Sequence, residues 1–494
     1  MKFLSDKWFY FLIILLLGLL IRLWHLDIPL LEFYPTRQVQ TAEIARNFFR
    51  DRSSILEPKV GYLGQEKVPF SVEFPIFNYV VSRLYLLSGG VRETIGRLLS
   101  IVGWLISSVL LFLLISKIAN PFVSLSAIFF YSFSPLSVLI SRSFQPDQWM
   151  LTFSVASIYL LLLSKSKSGR KNLLFLFSAI FASMSILMKL PSVLFTVIPA
   201  LFILYKGPKK RLESLIFLSI ALFPSLMWYF YASKSSEASG LAESFTIANW
   251  FGLEVFLNPK YWSNLFGFEM NLVLLPVGMV LFLLGIMTKL KNNQRFLYSW
   301  LASVILYFLI FNKHSMTHEY YHLPFLPVAV IFIGLACGKL LAKRLYSLVL
   351  VAFLVLALMF AVVKNRAYMP IDRFNHVLET ASVIRELTSL DDLIVGQMDA
   401  GPSLMYYADR RGWEFQINTP RIEMNRAFFA INDKRFDDPI YTLESFKRQG
   451  ATIFASAYKT QLAQNKQFEN YLYNSYPILA QSDYYVIFDL NHSR

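Results

Sequence analysis

Long apolar runs separated by short polar turns dominate this chain, and their lengths predict helices that cross a bilayer, which takes about 20 residues. The runs fall at 8–26, 97–116, 121–141, 148–164, 172–190, 192–206, 212–232, 271–290, 296–312, 323–342 and 344–363. The first has no small-residue cleavage site and continues past Arg22 to Leu26, so it predicts an uncleaved helix rather than a leader peptide. Two stretches break the pattern. Residues 27–95 form a polar segment too long for a connector, and residues 364–494 are soluble in character.

Within the 27–95 loop, Ala42, Ile44, Ala45, Phe48 and Phe49 recur at helical spacing and predict a short helix over Gln40–Phe49, lying at the membrane interface. A second helix is expected over Phe74–Leu87, with Pro75 near its start, and Gly, Pro and Lys make Ile55–Phe70 read as loop. In the C-terminal stretch His376–Leu390 and Tyr441–Arg448 have helical periodicity, while Leu393–Gly396, Thr452–Ala455 and Tyr484–Leu490 read as buried strands. That alternation predicts a small α/β domain, a support or acceptor-facing cap in which no phosphate loop, metal cluster or nucleophile elbow is seen. The fold class expected is thus an α-helical polytopic membrane domain over 1–363 with about eleven transmembrane helices, a long first external loop, and an external α/β domain over 364–494.

Composition agrees. The chain is 55% hydrophobic and 16% charged, against about 25% charged in soluble proteins. The net charge of +15 is mostly topology. Lys2 and Lys7, Lys117, the 165–171 group, the 206–211 group, the 289–295 group and Lys339, Lys343 and Arg344 all fall on one side of the predicted spans. By the positive-inside rule that side is the cytoplasm, and the loops at 27–95 and 233–270 and the C-terminal region are external. Basic residues in short turns do not make a nucleic-acid reader. The single Cys337 allows no intrachain disulfide.

On the external side, ionisable groups gather where a bilayer disfavours them. Asp147 follows Pro146 at the start of a span, and Glu73 precedes the second loop helix; both also fit plain helix-start carboxylates. Lys189, in Met188-Lys189-Leu190-Pro191, is a cation on the side where cations are disfavoured. His314, His318 and His322 with Glu319, Tyr320 and Tyr321 precede Pro324, open to readings as a metal cluster, a structural interface or an anionic-headgroup contact. Carboxylates, cations and phenols on an outer membrane face suit sugar transfer from a polyprenyl-phosphate carrier. The phosphate leaves as a stable anion, so one carboxylate base and a cation to hold the phosphate suffice. A transporter or flippase of a lipid-linked saccharide, or a non-catalytic subunit of an envelope-assembly complex, are the alternatives.

The order of parts resembles the GT-C type membrane glycosyltransferases, in the family-39 and ArnT-like group related to protein O-mannosyltransferases. The residues carrying the resemblance are Glu32-Phe33-Tyr34-Pro35-Thr36-Arg37-Gln38, Thr41-Ala42-Glu43-Ile44-Ala45-Arg46-Asn47-Phe48 and Glu73-Phe74-Pro75. Gly96-Arg97-Leu98-Leu99-Ser100, Ser134-Pro135 through Arg142, Pro146-Asp147, Lys189-Leu190-Pro191 and His318 through Pro324 extend it over roughly 8–340. The resemblance implies inverting transfer from a lipid-linked sugar, with an acid of the first external loop as base. Many relatives carry an Asp-Glu pair just before the Ala-Glu-Ile-Ala-Arg helix, where this chain has Arg37-Gln38. Glu32 is therefore the expected base, with Glu73 and Asp147 as alternates. Arg37 and Lys189 are expected on the phosphate, and His318, Tyr320 and Tyr321 on the substrate. The partners expected are the carrier lipid, a glycan, lipid or protein acceptor, and the bilayer of the cytoplasmic membrane. No cofactor is expected, and a divalent metal is left open.

Overall fold

The structure is a computed structural model that describes residues 7–165, 170–205, 210–235, 246–340, 356, 359, 361–363, 375–397, 401–418, 422–423, 425–426, 429 and 431–493. It divides into two compact units, one within Met1–Asp27, Thr94–Tyr229 and Ile247–Met369, the other within Ile28–Glu93, Phe230–Thr246 and Pro370–Arg494.

The first unit is helical. Lys7–Leu23 buries Phe11, Leu15, Gly18 and Arg22 and leaves Leu12, Leu16 and Leu20 exposed, a sidedness that suits a helix with one face to lipid. Glu93–Ile118, Asp147–Ser164, Lys171–Met188 and Lys210–Ser235 are each long and apolar enough to cross a membrane. They coincide with four of the predicted runs. Counting two bent pairs as single spans brings the number among the described residues to six. The other predicted runs give shorter helices, such as Ser192–Tyr205, Phe296–Ile310 and Phe325–Leu340, and most of 344–363 lies outside the described residues.

The runs at 121–141 and 271–290 are not straight spans. Pro121–Phe133 and Pro135–Ser141 meet at 63°, and Pro259–Val273 and Leu275–Ile286 at 104°. Pro135 lacks a backbone N–H and forces Ser134 out of the helical region, to φ −53°, ψ 127°. Arg22 braces this break. Its guanidinium donates to the Ser132 carbonyl (3.0 Å), Ser137 Oγ (3.0 Å), Ser141 Oγ (2.6 Å) and the Gly18 carbonyl (2.9 Å), and stacks 3.7 Å from the centroid of the Trp104 ring. At the second break Leu275, just before Pro276, takes a left-handed φ of 62°. Hydropathy alone registers neither bend, because the apolar run continues through both.

The second unit joins residues 28–93 to the C-terminal region. Among its described residues, β1 (Lys59–Val60) and β3 (Val68–Pro69) pair antiparallel. β2 (Leu63–Gly64) is instead the edge of a six-stranded sheet with β4 (Leu393–Gln397), β5 (Arg411–Phe415), β6 (Ala451–Ser456), β7 (Ile478–Gln481) and β8 (Val486–Asp489), in the order β2-β5-β4-β6-β8-β7. β4 runs parallel to both β5 and β6, and the remaining pairs are antiparallel. Alternate residues serve opposite faces of the sheet. Ile394, Ile453 and Ile487 pack with Ile44, Phe48, Val377 and Ile384, while Val395, Phe454 and Phe488 pack with Leu443, Phe446, Phe468 and Leu472. Helices Pro35–Asp51 and Asn375–Leu387 thus cover one face, and Pro439–Arg448 and Lys466–Ser475 the other.

Three expectations change here. The boundary drawn at 363/364 separates segments that the structure joins, since residues 28–93 share a sheet and a core with the C-terminal region. Ile55–Phe70, expected as loop, carries three strands of two residues each, too short to leave a periodic signature. The helix expected over Gln40–Phe49 runs Pro35–Asp51 and is covered by protein over most of its surface, since Gln38, Val39 and every residue from Thr41 to Phe48 are buried.

Candidate active site

Two groups of the predicted residues are brought together, one within each unit. In the second unit the turn before Pro35 carries Glu32, which is 7% exposed. The backbone around it is pinned at two points and turned sharply at a third. Leu30 N–H donates to the Tyr407 hydroxyl (2.6 Å), Gln38 Nε2 donates to the Phe33 carbonyl (2.7 Å), and Tyr34 adopts a left-handed φ of 58°. Gln38, which stands where the family resemblance anticipates an acid, thus holds the carbonyl next to Glu32. Arg37, in the first turn of the following helix, forms an ion pair with Glu73.

The rest of the loop motif is architectural. Glu43 Oε1 accepts from Gly61 N–H (2.8 Å), Asn47 Nδ2 donates to the Lys59 carbonyl (2.9 Å), and Arg46 donates to the Tyr406 carbonyl (2.8 Å). Arg46 and Arg50 also flank Asp409, at 3.2 and 2.7 Å. Glu414 on β5 is fully buried, and its Oε1 accepts from Met405 N–H (2.9 Å). Burial, reinforced by the Glu43 charge, pushes Glu414 well above the usual carboxylate range. Burial also raises Glu43, against the pull of Arg46. The folded chain therefore keeps protons that the unfolded chain releases. The stability these groups contribute is full below the ordinary carboxylate value, about 4.3, and is lost as pH rises toward the folded value. Glu414→Gln is expected to flatten the decline of melting temperature with rising pH, measured on the purified protein in detergent; an unchanged slope would refute this.

In the first unit the turn 142–146 delivers Asp147 to the start of its helix. Arg142 Nη2 donates to the His25 carbonyl (2.7 Å), and Ser100 Oγ donates to the Ser143 and Gln145 carbonyls (2.8 and 3.3 Å). Phe144 lies over Gly96, where a Cβ would overlap its ring, which accounts for glycine there. Asp147 Oδ1 meets Lys189 Nζ at 2.5 Å, and the two side chains are 0% and 7% exposed. Lys189 caps the end of helix Lys171–Met188 in an extended conformation. Its ammonium lies 4.3 and 4.2 Å from the centroids of the Tyr320 and Tyr321 rings, close enough for cation–π attraction. His318 packs edge-on against both rings, at 5.6 and 5.9 Å, and its Nδ1 is hydrogen-bonded to Thr317 Oγ1 (2.5 Å).

His314, from the same cluster, stacks on Tyr321 at 5.0 Å. Burial and the nearby Lys189 charge hold its imidazole down at about 4, so it is a neutral wall of the site at physiological pH. His322 points elsewhere, hydrogen-bonded to Glu269 Oε1 (2.7 Å) and the Ser315 carbonyl (2.9 Å). Among the described residues no group of three or more His, Cys, Asp and Glu is arranged to hold a metal ion. Glu269 pairs with His322 from 53 residues away, a contact with no local signal in the sequence.

Residues 68–228 match the model of a family described as dolichyl-phosphate-mannose-protein mannosyltransferase. ArnT from Cupriavidus metallidurans, in a structure bound to undecaprenyl phosphate, aligns with a TM-score of 0.63 at 14% identity, covering 97% of each chain. The chain thus shares the fold of that ArnT structure over nearly its whole length. The archaeal oligosaccharyltransferase AglB from Archaeoglobus fulgidus, in complex with an inhibitory peptide and a dolichol-phosphate, aligns with a TM-score of 0.57 at 12% identity, over 97% of this chain and 74% of that one. The arabinofuranosyltransferase AftD from Mycobacteria gives 0.60 at 12% identity, over 97% of this chain and 40% of that one. At these identities the likeness is one of fold. No curated protein sequence matches the chain. The family match and the shared fold agree with the four to six helices among the described residues that are long and apolar enough to cross a membrane.

Proposed function

We propose that the protein transfers a sugar from a polyprenyl-phosphate carrier to an acceptor at the external face of the cytoplasmic membrane, with inversion at the sugar's anomeric carbon. The observation that carries this reading is the buried Lys189 ammonium, held by Asp147 and faced by Tyr320 and Tyr321. A cation so placed, with phenols around it, suits a lipid phosphate. The solved ArnT and AglB structures that share this fold hold undecaprenyl phosphate and a dolichol-phosphate, which supports a carrier of that class.

In this reading Glu32 takes the proton from the acceptor nucleophile as that nucleophile attacks the anomeric carbon, and the sugar–phosphate bond breaks with its electrons leaving on the phosphate. Lys189 or Arg37 is the cation that stabilises that leaving anion. Glu73 and Asp147 are each committed to a cation, and their first task is to orient Arg37 and Lys189. His318, Tyr320 and Tyr321 shape the wall around the phosphate. The membrane domain has eleven spans with a cytoplasmic N-terminus, and the C-terminal α/β region supports the first external loop. A glycan, a lipid or a protein can serve as acceptor.

The test is transfer of labelled sugar from polyprenyl-phosphate donors in membranes containing wild type, Glu32→Gln, Glu73→Gln or Asp147→Asn. Wild type should transfer, and Glu32→Gln should not. Continued transfer by all three variants would overturn the assignment of the carboxylates, and an inert wild type would overturn the function.

A further inference from the structure

Two residues before Asp147, the Gln145 side chain is fully buried, and neither its Oε1 nor its Nε2 has a hydrogen-bond partner among the described residues. The same is true of Asp147 Oδ2 on a side chain that is 0% exposed. Ser192, whose N–H bonds the Lys189 carbonyl (3.0 Å), is a third such residue, through its Oγ. Buried polar groups are satisfied in the great majority of cases, and one left unsatisfied is destabilising. Three on adjoining segments call for a ligand that satisfies them.

Their chemistry narrows that ligand. A carboxamide offers two N–H donors and one acceptor oxygen, a carboxylate oxygen only accepts, and a hydroxyl does both. A phosphate, which offers only acceptors here, would set its oxygens against Gln145 Oε1 and Asp147 Oδ2. A group bearing hydroxyls on neighbouring carbons matches instead, donating to the two oxygens and accepting from Nε2. Asp147 also fixes the distance relation, because its other oxygen holds Lys189. A ligand whose phosphate lies at Lys189 has its attached sugar ring next to Asp147.

We propose that Gln145, with Asp147 Oδ2 and Ser192 Oγ, forms the subsite for the hydroxyls of the carrier-linked sugar and decides which sugar is accepted. This rests on the reading of the site as a polyprenyl-phosphate glycosyltransferase and adds the specificity determinant to it. Gln145 is not a base or a leaving-group contact; it selects by hydrogen bonding. Its replacement by Leu, of similar size and without polar atoms, relieves the buried amide and leaves folding intact or improved, while removing the discrimination.

The experiment measures binding to the purified protein of bare undecaprenyl phosphate and of undecaprenyl phosphate bearing mannose, glucose, galactose or arabinose, for wild type and Gln145→Leu, with melting temperatures alongside. Wild type should bind at least one glycosylated carrier about tenfold more tightly than the bare lipid, the effect of one or two hydrogen bonds. Gln145→Leu should bind all of them alike, with an unchanged or raised melting temperature. A lowered melting temperature with retained sugar preference would assign Gln145 to the fold and overturn the subsite. Wild type that binds every glycosylated carrier no better than the bare lipid would also overturn it. Transfer by wild type, assayed separately, reports on the function itself: an active wild type with preference intact in Gln145→Leu leaves the function standing and removes the subsite alone.

Discussion

Glu32→Gln should lower kcat for sugar transfer by about two to four orders of magnitude, the usual contribution of a positioned general base, with little change in the KM for the carrier. The substitution keeps the shape of the side chain and removes only its ability to take a proton. The surrounding turn is pinned through backbone atoms, by Gln38 at Phe33 and Tyr407 at Leu30, so melting temperature should stay within a degree or two of wild type. Should Glu73→Gln extinguish turnover while Glu32→Gln spares it, the base belongs to the partner of Arg37 instead.

Lys189→Met should damage both stability and transfer. It leaves the Asp147 carboxylate buried without its cation, and breaking a buried ion pair from one side is destabilising by about 3–5 kcal/mol. Asp147→Leu strands the ammonium in the same way, although the Tyr320 and Tyr321 faces retain part of its stabilisation. The double variant Lys189→Met/Asp147→Leu should recover most of the lost melting temperature, since an apolar pair of similar volume is often as stable as the ion pair. It should nevertheless remain inactive, because the phosphate contact is gone. Melting temperatures of the two single variants and the double form a cycle that reads the coupling directly. Additive losses would show that the two groups do not act as a pair.

Much of this was legible in the order of residues. Runs of apolar residues predicted helices such as Asp147–Ser164 and Lys171–Met188, whose observed bounds lie within two residues of the expected ones. The positions of Lys189, Tyr320 and Tyr321 as polar groups at span ends singled them out, and the structure gathers them around one ammonium. The bends at Ser134 and Leu275 were not legible, because hydropathy reports burial and not direction. The pairing of β2 with β5 joins residues about 350 apart through two-residue contacts, which no local pattern encodes. The loop motif around Glu43 and Arg46 was conspicuous for its charges, yet these hold backbone groups at Gly61 and Tyr406. Buried charge marks a site only when its partners are known. Arg22 makes the same point from inside an apolar run, where its hydrogen bonds secure a helix break.

The most direct measurement follows carrier release. Purified wild type and Glu32→Gln are reconstituted into liposomes with undecaprenyl phosphate bearing a radiolabelled sugar, and an envelope extract supplies the acceptor. Wild type should release bare undecaprenyl phosphate in step with the appearance of label on the acceptor, and Glu32→Gln should do so at least about a hundredfold more slowly. Label that crosses between leaflets while still attached to its carrier, with no bare lipid formed, would contradict the account and mark the protein as a transporter of the lipid-linked sugar.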